Sequence, residues 1–412
     1  MKFNSGDGKV RLGYGMGCLE MSLPPVSDVD VIEEMELPAA LPDEISRSLA
    51  HPVGRSLDDF AGCRSAVVLA SDITRPAPSH LMLPPLLDVL ERIGISDIEI
   101  IFGLGTHRKM TSAEVEQLLR DCTGVPHQQH DPQNCVFLGE TARGTPVEVN
   151  EIVASSELII ATGNIEYHYY AGYSGGAKAV LPGVSSVRSV VKNHELMREP
   201  HSTTGRLDSP VRQDMEDAAG IAGLDFILNV VLNGRNEIVQ SVAGDFIAAH
   251  RIGAATVDRM YRRPVKPAEI VVTSAGGRPK DLNLFQAQKA LDNAKNAAKP
   301  DGSIILVAEC SEGLGHPVFE RWAREATSAE DCWERFGREY EFGGHKAAFL
   351  ARESMEHQII LVSSLPKELV EMCFFTPAST LDEALFMARE RQGKDARMVV
   401  MPHGNLTLAV GK

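Results

Sequence analysis

Apolar runs bounded by turn residues alternate along this chain with stretches that repeat apolar positions at helical spacing. The clearest example runs from Ser65 to Gly103, where AVVLAS predicts a buried strand, HLMLPPLLDVLERIG a helix ending at Gly94, and DIEIIFG the next strand. Strand–helix–strand units of this kind are typical of a mainly parallel sheet. We therefore predict an α/β fold.

The same alternation continues to the end of the chain. ELIIATG predicts another strand, and a Gly- and aromatic-rich loop then leads into a helix over residues 185–197. The pattern restarts near Pro267 with the strand AEIVVTS, the helix FQAQKALDNAKNAA and the strand GSIILVAE, after a helix and a basic connector in HRIGAATVDRMYRRPVKP. We predict two α/β domains, residues 1–265 and 266–412, with an active-site crevice between them.

Composition narrows the class of protein. A chain of 412 residues is long enough for two domains, and its 43% hydrophobic and 24% charged residues exclude wholesale disorder. The net charge of −15 is spread without a basic stripe, which argues against binding to nucleic acid or to an anionic membrane surface. A small-molecule substrate fits better.

Cysteine usage and the N-terminus indicate the compartment. The seven cysteines are scattered and form no CxxC pair, so neither a disulfide framework nor a thiolate zinc site is predicted. The segment MKFNSGDGKVRLGYG lacks the apolar core of a signal peptide, and no apolar run is long enough to span a bilayer. We predict a cytoplasmic protein.

The densest candidate site is the segment GNIEYHYYAGYSGGAKAVLPGVSSVRSVVKNH. Its glycines allow close backbone approach to a bound group, and their amides are candidates to cradle a phosphate; they are Gly172, Gly175 and Gly176. Lys178 would then act as a phosphate counter-ion or a nucleophile. His168 and His194 are suited to proton transfer or to ligation of a transition metal.

Two common nucleotide motifs are excluded. Ala179 follows Lys178 where a P-loop needs Ser or Thr, and Arg108 stands where a dinucleotide fingerprint has its last glycine. A single histidine is more often structural than catalytic, and we give that interpretation to His80, His127, His130, His201, His345 and His403. His107, His168 and His194 lie in candidate motifs.

Four motifs together resemble the nickel-dependent lactate racemase family. Asp72-Ile73-Thr74-Arg75-Pro76 and Gly105-Thr106-His107-Arg108 follow predicted strands, where open α/β sheets bind ligands. The run Gly172 to Lys178, with His168 before it and His194 after it, is similar to the family's cofactor segment, and Gln286-Ala287-Gln288-Lys289 is similar to its C-terminal signature. The motifs occur in the family's order.

The resemblance implies a particular cofactor, the nickel-pincer nucleotide, which is a pyridinium-3-thioamide-5-thiocarboxylic acid mononucleotide carrying nickel. Lys178 matches the lysine that tethers it as a thioamide, and His194 matches the histidine that ligates nickel. Sulfur donors in a square-planar set suit Ni(II). The remaining candidate cofactor contacts are Asp72, Thr74, Ser174, Gly175 and Gly176. Cofactor-biosynthesis proteins are the implied partners.

The implied reaction is racemisation or epimerisation of a 2-hydroxy acid. Removing the C2 proton directly would create a very unstable carbanion, whereas hydride transfer through a 2-keto acid avoids it. This route needs two bases, and His107 and His168 match the family's pair. Arg75 and Lys289, assisted by Gln286, match the groups that bind the substrate carboxylate. The N-terminal domain would hold the cofactor and the C-terminal domain would close over the substrate.

Each residue has a structural alternative. Arg75 could pair with Asp72 to brace its loop, His107 could cap the helix that starts near Thr111, and Lys289 could be a solvated helix charge. A nicotinamide-dependent dehydrogenase and a non-catalytic cofactor-binding protein are the alternative functions, although two candidate bases argue against the second.

Substrate choice stays open. Phe285 stands where lactate-specific members tend to have Tyr, and a hydroxyl that could touch the substrate is missing. Lactate, malate, hydroxyglutarate, phenyllactate and aldonic acids are therefore all candidates.

Overall fold

A computed structural model of the chain describes residues 8–23 and 28–411. The prediction that the N-terminus lacks a signal peptide depends partly on residues 1–7, which lie outside the described residues. The chain divides into two compact units, Glu36–Met260 and the combination of Met1–Met35 with Tyr261–Lys412. We call them the central unit and the terminal unit.

Strands within the described residues are numbered here in chain order. They are β1 (Lys9–Tyr14), β2 (Gly17–Ser22), β3 (Val29–Val31), β4 (Ser65–Ser71), β5 (Asp97–Gly103), β6 (His127–Gln129), β7 (Cys135–Glu140), β8 (Pro146–Asn150), β9 (Leu158–Asn164), β10 (Tyr167–His168), β11 (Gly172–Tyr173), β12 (Phe226–Leu232), β13 (Ile238–Gly244), β14 (Arg262–Val265), β15 (Ala268–Ser274), β16 (Ala298–Val307), β17 (Gln358–Val362), β18 (Thr376–Ala378), β19 (Met398–Met401) and β20 (Leu408–Gly411).

Helices are numbered in the same way. They are α1 (Glu44–Ala50), α2 (Ser79–Arg92), α3 (Ser112–Leu119), α4 (Glu151–Ser155), α5 (Val187–Glu195), α6 (Pro210–Ala222), α7 (Ala248–Tyr261), α8 (Leu284–Ala294), α9 (Pro317–Glu325), α10 (Ala329–Arg338), α11 (Gly344–Glu356), α12 (Lys367–Met372) and α13 (Leu381–Gln392). In the part of the chain that the structure describes, no helix has both the length and the apolar character required to cross a bilayer.

The central unit contains a six-stranded sheet in the order β13-β12-β9-β4-β5-β6. All neighbouring pairs are parallel except β12 with β13. The strands predicted from AVVLAS, DIEIIFG and ELIIATG are present as β4, β5 and β9, and β9 is buried along its whole length. The predicted α/β class with mainly parallel sheets is therefore confirmed.

The terminal unit contains a second six-stranded sheet, ordered β18-β17-β16-β15-β19-β3, in which every neighbouring pair is parallel. The predicted strands AEIVVTS and GSIILVAE form β15 and β16. The predicted helix in this region is shorter, since α8 ends at Ala294 and a 3₁₀ turn, Lys295–Ala297, follows it.

The N-terminal segment belongs to the terminal unit, which differs from the predicted division at residue 265. β3 pairs with β19 in that unit's sheet, and Leu12 and Met21 of the β1–β2 hairpin join its apolar core. The predicted connector after α7 also forms a strand, β14, which pairs with β20. These pairings join residues far apart in sequence, so local periodicity does not reveal them.

Parallel strands place three loops at one edge of the central sheet. The loop containing Asp72 follows β4, the loop containing His107 follows β5, and the β10–β11 hairpin follows β9. Because β5, β4 and β9 are adjacent and parallel, their carboxyl ends lie side by side. Asp72, His107 and His168 follow three adjacent strands at this edge.

Candidate active site

Asp72 and His107 form a direct pair. His107 Nδ1 lies 2.7 Å from Asp72 Oδ2, and because a carboxylate only accepts, the imidazole donates this hydrogen bond. The other Asp72 oxygen accepts from the Thr74 backbone amide at 2.7 Å and from the Thr74 hydroxyl. Asp72 is buried, whereas the His107 side chain is 29% exposed. His107 is therefore held through Nδ1, and its side chain stays partly exposed.

Electrostatics keep Asp72 ionised. Burial by itself would raise the pKa of Asp72, but the hydrogen bonds from His107 and Thr74 outweigh it and hold the pKa below the usual range. The structural alternative for His107 is not seen, because Thr111 caps α3 through its own side chain and Glu114. Asp72 bonds His107 and Thr74, while Arg75 adds an electrostatic contribution.

Tyr170 brings together three predicted residues of the cofactor segment. Its hydroxyl lies 2.8 Å from His194 Nε2, and the Lys178 ammonium lies 5.5 Å from the centre of its ring. The His168 ring meets Tyr170 edge-on with centroids 4.3 Å apart. Burial raises the pKa of the Tyr170 hydroxyl, against an opposing influence of Arg75. Lys178, His168 and His194 are therefore gathered around one aromatic side chain.

His194 is a buried, neutral imidazole. Burial, and then the nearby Lys178 charge, lower its pKa to about 3, against a backbone hydrogen bond with Val190. Its helix, α5, is capped by Ser186, whose hydroxyl accepts from the Ser189 backbone amide. The side-chain amide of the neighbouring Asn193 donates to buried Asp214 at 2.8 Å. A neutral nitrogen lone pair is the form that binds a metal ion.

The glycines of the loop are required mainly by internal packing. Gly172 has φ +74°, and a Cβ there would overlap the Arg206 carbonyl oxygen. Gly176 has φ +58°, and its amide donates to Asn229 Oδ1 at 2.7 Å, so the structure gives this amide a role inside the protein rather than as a predicted phosphate donor. The Ser174 hydroxyl likewise donates to the Asn164 carbonyl at 2.9 Å. Gly175, before Gly176, is half-buried.

Sequence reasoning missed the residues that hold this loop. Arg212 is fully buried and donates to the Tyr173 carbonyl and to the Gly175 carbonyl, the latter at 3.3 Å. His250 Nε2 lies 2.8 Å from the Ser174 carbonyl oxygen. Arg212 and His250 lie more than 30 residues from the loop along the chain, so no local motif marks them. The segment EYHYYAGY is visibly rich in tyrosine, but the sequence does not distinguish Tyr170 from the tyrosines beside it.

Gln286 and Lys289 lie in the terminal unit, one helical turn apart on α8. Both are exposed, and Asn283 caps the helix by accepting from the Gln286 amide at 3.1 Å. Phe285 is half-buried in an aromatic cluster and stacks on His316 with ring centroids 5.6 Å apart. The Lys346 ammonium lies 5.1 Å from the centre of the Phe285 ring.

Comparison with known proteins identifies the family. The lactate racemase N-terminal domain matches residues 14–205, and the lactate racemase C-terminal domain matches residues 264–409. The lactate racemase of Thermoanaerobacterium thermosaccharolyticum is 34% identical over 415 residues, which cover 96% of this chain and 97% of the relative. The chain belongs to the lactate racemase family.

Other members of the lactate racemase family agree with this assignment. The lactate racemase of Lactiplantibacillus plantarum is 33% identical over 381 residues, covering 88% of this chain and 89% of the relative. The solved lactate racemase apoprotein from T. thermosaccharolyticum has a TM-score of 0.90 at 33% identity, with 97% of this chain and 99% of that chain covered. These relatives support a racemase, and hence an isomerase.

A more distant structure shares the fold alone. A protein from Thermotoga maritima has a TM-score of 0.64 at 19% identity, covering 92% of this chain and all of that one. The two α/β units are therefore retained at low sequence identity.

Proposed function

We propose that this chain is a racemase or epimerase of a 2-hydroxy acid that uses a nickel-pincer nucleotide tethered to Lys178. The observation that carries the proposal is the arrangement around Tyr170, where the Lys178 ammonium, the buried His194 imidazole and the His168 ring contact one side chain. The family relatives, which are named lactate racemases, support the reaction class.

The residues present fit the cofactor. A covalent tether needs an amine, and the half-buried Lys178 supplies one beside a neutral, buried imidazole that keeps a lone pair for nickel. Lys178 would hold the pyridine through a thioamide and His194 would ligate the metal. When bound, the nickel-pincer nucleotide supplies an acceptor and donor for the hydride of substrate C2.

His107 is the first base in this proposal. Asp72 accepts a hydrogen bond from Nδ1–H, which leaves the Nε2 lone pair to take the proton of the substrate hydroxyl. The charge that then develops on the imidazole lies against the ionised Asp72 carboxylate, which stabilises it. Asp72 is therefore proposed as a positioning residue for the base as well as a cofactor contact.

His168 is the second base. Inversion at C2 passes through a planar 2-keto acid, whose carbonyl oxygen must be protonated in a second pose for the opposite enantiomer to form. A second imidazole is needed for that pose. The His168 ring packs edge-on against Tyr170 and stacks on Tyr169, with His168–Tyr169 ring centroids 5.2 Å apart. We propose that each histidine serves as base for one enantiomer and acid for the other.

Carboxylate binding is proposed for Arg75, Lys289 and Gln286. Arginine and lysine form charge-assisted hydrogen bonds with a carboxylate, and the Gln286 amide adds a neutral donor. Both α8 residues are exposed on the same face of the helix. The relatives are named for lactate, which is the first substrate to test, although Phe285 brings no hydroxyl to its position.

The test uses protein produced together with the cofactor-building enzymes. Intact mass should show an adduct on Lys178 and metal analysis should show nickel, and single enantiomers of lactate, malate, hydroxyglutarate, phenyllactate and an aldonate should be racemised or epimerised in at least one case. Added NAD should have no effect, which separates this proposal from a dehydrogenase. An unmodified Lys178 without nickel would refute it.

Variants separate the roles. Lys178→Ala should lose the adduct, because no other amine is proposed to carry it. His107→Ala and His168→Ala should keep the adduct and lose turnover, since their proposed role is proton transfer. Racemisation that persists in either histidine variant would contradict the two-base assignment, and a fully loaded wild-type protein without turnover on any substrate would favour a binding protein.

A further inference from the structure

Tyr170 is the side chain that contacts both residues proposed to hold the cofactor. Its hydroxyl lies 2.8 Å from His194 Nε2 and its ring faces the Lys178 ammonium at 5.5 Å. Tyr170 and His194 are both buried, with 6% exposure each. This hydrogen bond is therefore shielded from water.

The direction of this hydrogen bond follows from the chemistry of the two groups. Neutral imidazole has one N–H and one lone pair. A phenol hydroxyl is a much stronger acid than the N–H of a neutral imidazole, and the imidazole lone pair is a much better acceptor than a phenol oxygen. The Tyr170 hydroxyl therefore donates to His194 Nε2, which has the lone pair.

The lone pair of Nε2 binds only one partner at a time. A metal ion bound at Nε2 and the Tyr170 hydroxyl therefore exclude each other at this atom. We propose that Tyr170 is a positioning residue that occupies the ligating nitrogen of His194 until nickel displaces its hydroxyl. This inference rests on the proposed function, because it needs His194 to ligate nickel through Nε2.

The energetic consequence has a definite sign. A buried imidazole nitrogen without a partner is unfavourable, and the Tyr170 hydroxyl removes that cost only while nickel is not bound. Removing the hydroxyl would raise the free energy of the nickel-free protein and leave the Nε2–nickel bond intact. Tyr170→Phe should therefore bind nickel more tightly than the wild type.

Tyr173 offers a matched control in the same loop. Its buried hydroxyl donates to Asp258 at 2.6 Å and to the Gly205 carbonyl at 3.3 Å, and neither acceptor belongs to the proposed cofactor residues. Tyr173→Phe also removes a buried hydroxyl from the segment that carries Lys178. The Tyr173→Phe variant therefore shows how much nickel retention changes when a buried hydrogen bond of this loop is lost without any change at His194.

The experiment loads wild type, Tyr170→Phe and Tyr173→Phe with cofactor, and checks the Lys178 adduct by intact mass. Nickel per adduct is then measured against increasing concentrations of a chelator such as EDTA. For Tyr170→Phe, half-removal of nickel should need on the order of tenfold more chelator, the equivalent of one unsatisfied buried acceptor. Tyr173→Phe should match the wild type.

Equal or easier nickel removal from Tyr170→Phe would overturn the inference. A similar shift in both variants would also overturn it, because a general loop effect would then explain the result. An unmodified Lys178 in the wild type would refute the proposed function itself, and this inference with it, whereas a normal adduct with unchanged nickel retention refutes the Tyr170 role alone.

A second measurement covers the case in which Tyr170→Phe does not fold. Wild-type protein labelled with 3-fluorotyrosine has seven tyrosine positions for fluorine NMR. Removing nickel with the chelator should shift a tyrosine resonance, and adding nickel back should restore it, because the hydroxyl changes partner. Seven resonances that do not respond to nickel would overturn the proposal.

Discussion

The Asp72–His107 pair allows a quantitative test of the proposed base. Asp72→Asn keeps the size and shape of the side chain while it removes the negative charge. Asp72 now accepts from His107 Nδ1 at 2.7 Å and from the Thr74 amide at 2.7 Å. An asparagine in this place can orient His107 only through a neutral oxygen, and it gives no charge stabilisation to a protonated imidazole.

The magnitude follows from the kind of hydrogen bond that is lost. A hydrogen bond to a charged group contributes about 1.5–3 kcal/mol, against about 1 kcal/mol for a neutral pair. Because His107 gains its positive charge during proton transfer, most of this difference affects the transition state rather than the resting protein. The difference is about 0.5–2 kcal/mol. At about 1.4 kcal/mol for each factor of ten in rate, we expect kcat to fall roughly 2- to 30-fold.

The assay follows each enantiomer of the substrate by chiral chromatography. A racemisation has an equilibrium constant of one, so Asp72→Asn must lower kcat/KM equally in both directions, which checks the measurement itself. Arg108→Gln is the control, because Arg108 is next to His107 but forms an exposed ion pair with Glu114. Activity of Asp72→Asn equal to that of the wild type, with a complete Lys178 adduct, would refute this role for Asp72.

Three further predictions concern stability. In a urea titration, Gly172→Ala should lower the free energy of unfolding by about 3 kcal/mol or more, because φ is +74° and the added methyl group would overlap the Arg206 carbonyl. Gly124→Ala, which has open space around it, is the control and should have a small effect. Glu353→Gln should cost about 3 kcal/mol, measured likewise, since buried Glu353 pairs with Lys295 and Arg352; an unchanged midpoint would contradict this. Because the pKa of Asp72 is lowered in the folded protein, the ionised carboxylate stabilises the fold above the ordinary Asp pKa, and this stabilisation is lost as the pH falls through the pKa of the folded state. The difference in Tm between wild type and Asp72→Asn should therefore shrink in acid. A difference that stays constant with pH would contradict the assignment.

The sequence alone determined the α/β class, most of the strands at the two sheet centres and the loops that carry the candidate residues. The physical reason is that these features are local. A buried parallel strand needs a continuous apolar run, as in β4 and β15, and the residue that follows it lies at the carboxyl edge of the sheet. The apolar pattern by itself therefore places Asp72 and the loop containing His107 at one edge of the sheet.

The tertiary structure decided which of these residues touch. His107 bonds Asp72 rather than capping α3, and the Tyr170 hydroxyl forms a hydrogen bond with His194 that no local motif predicted. The same holds for β3, whose three residues pair with β19 more than 360 positions later in the chain. Such contacts depend on strand order and on packing between distant segments, and a hydrophobic pattern carries information only about the few residues next to it.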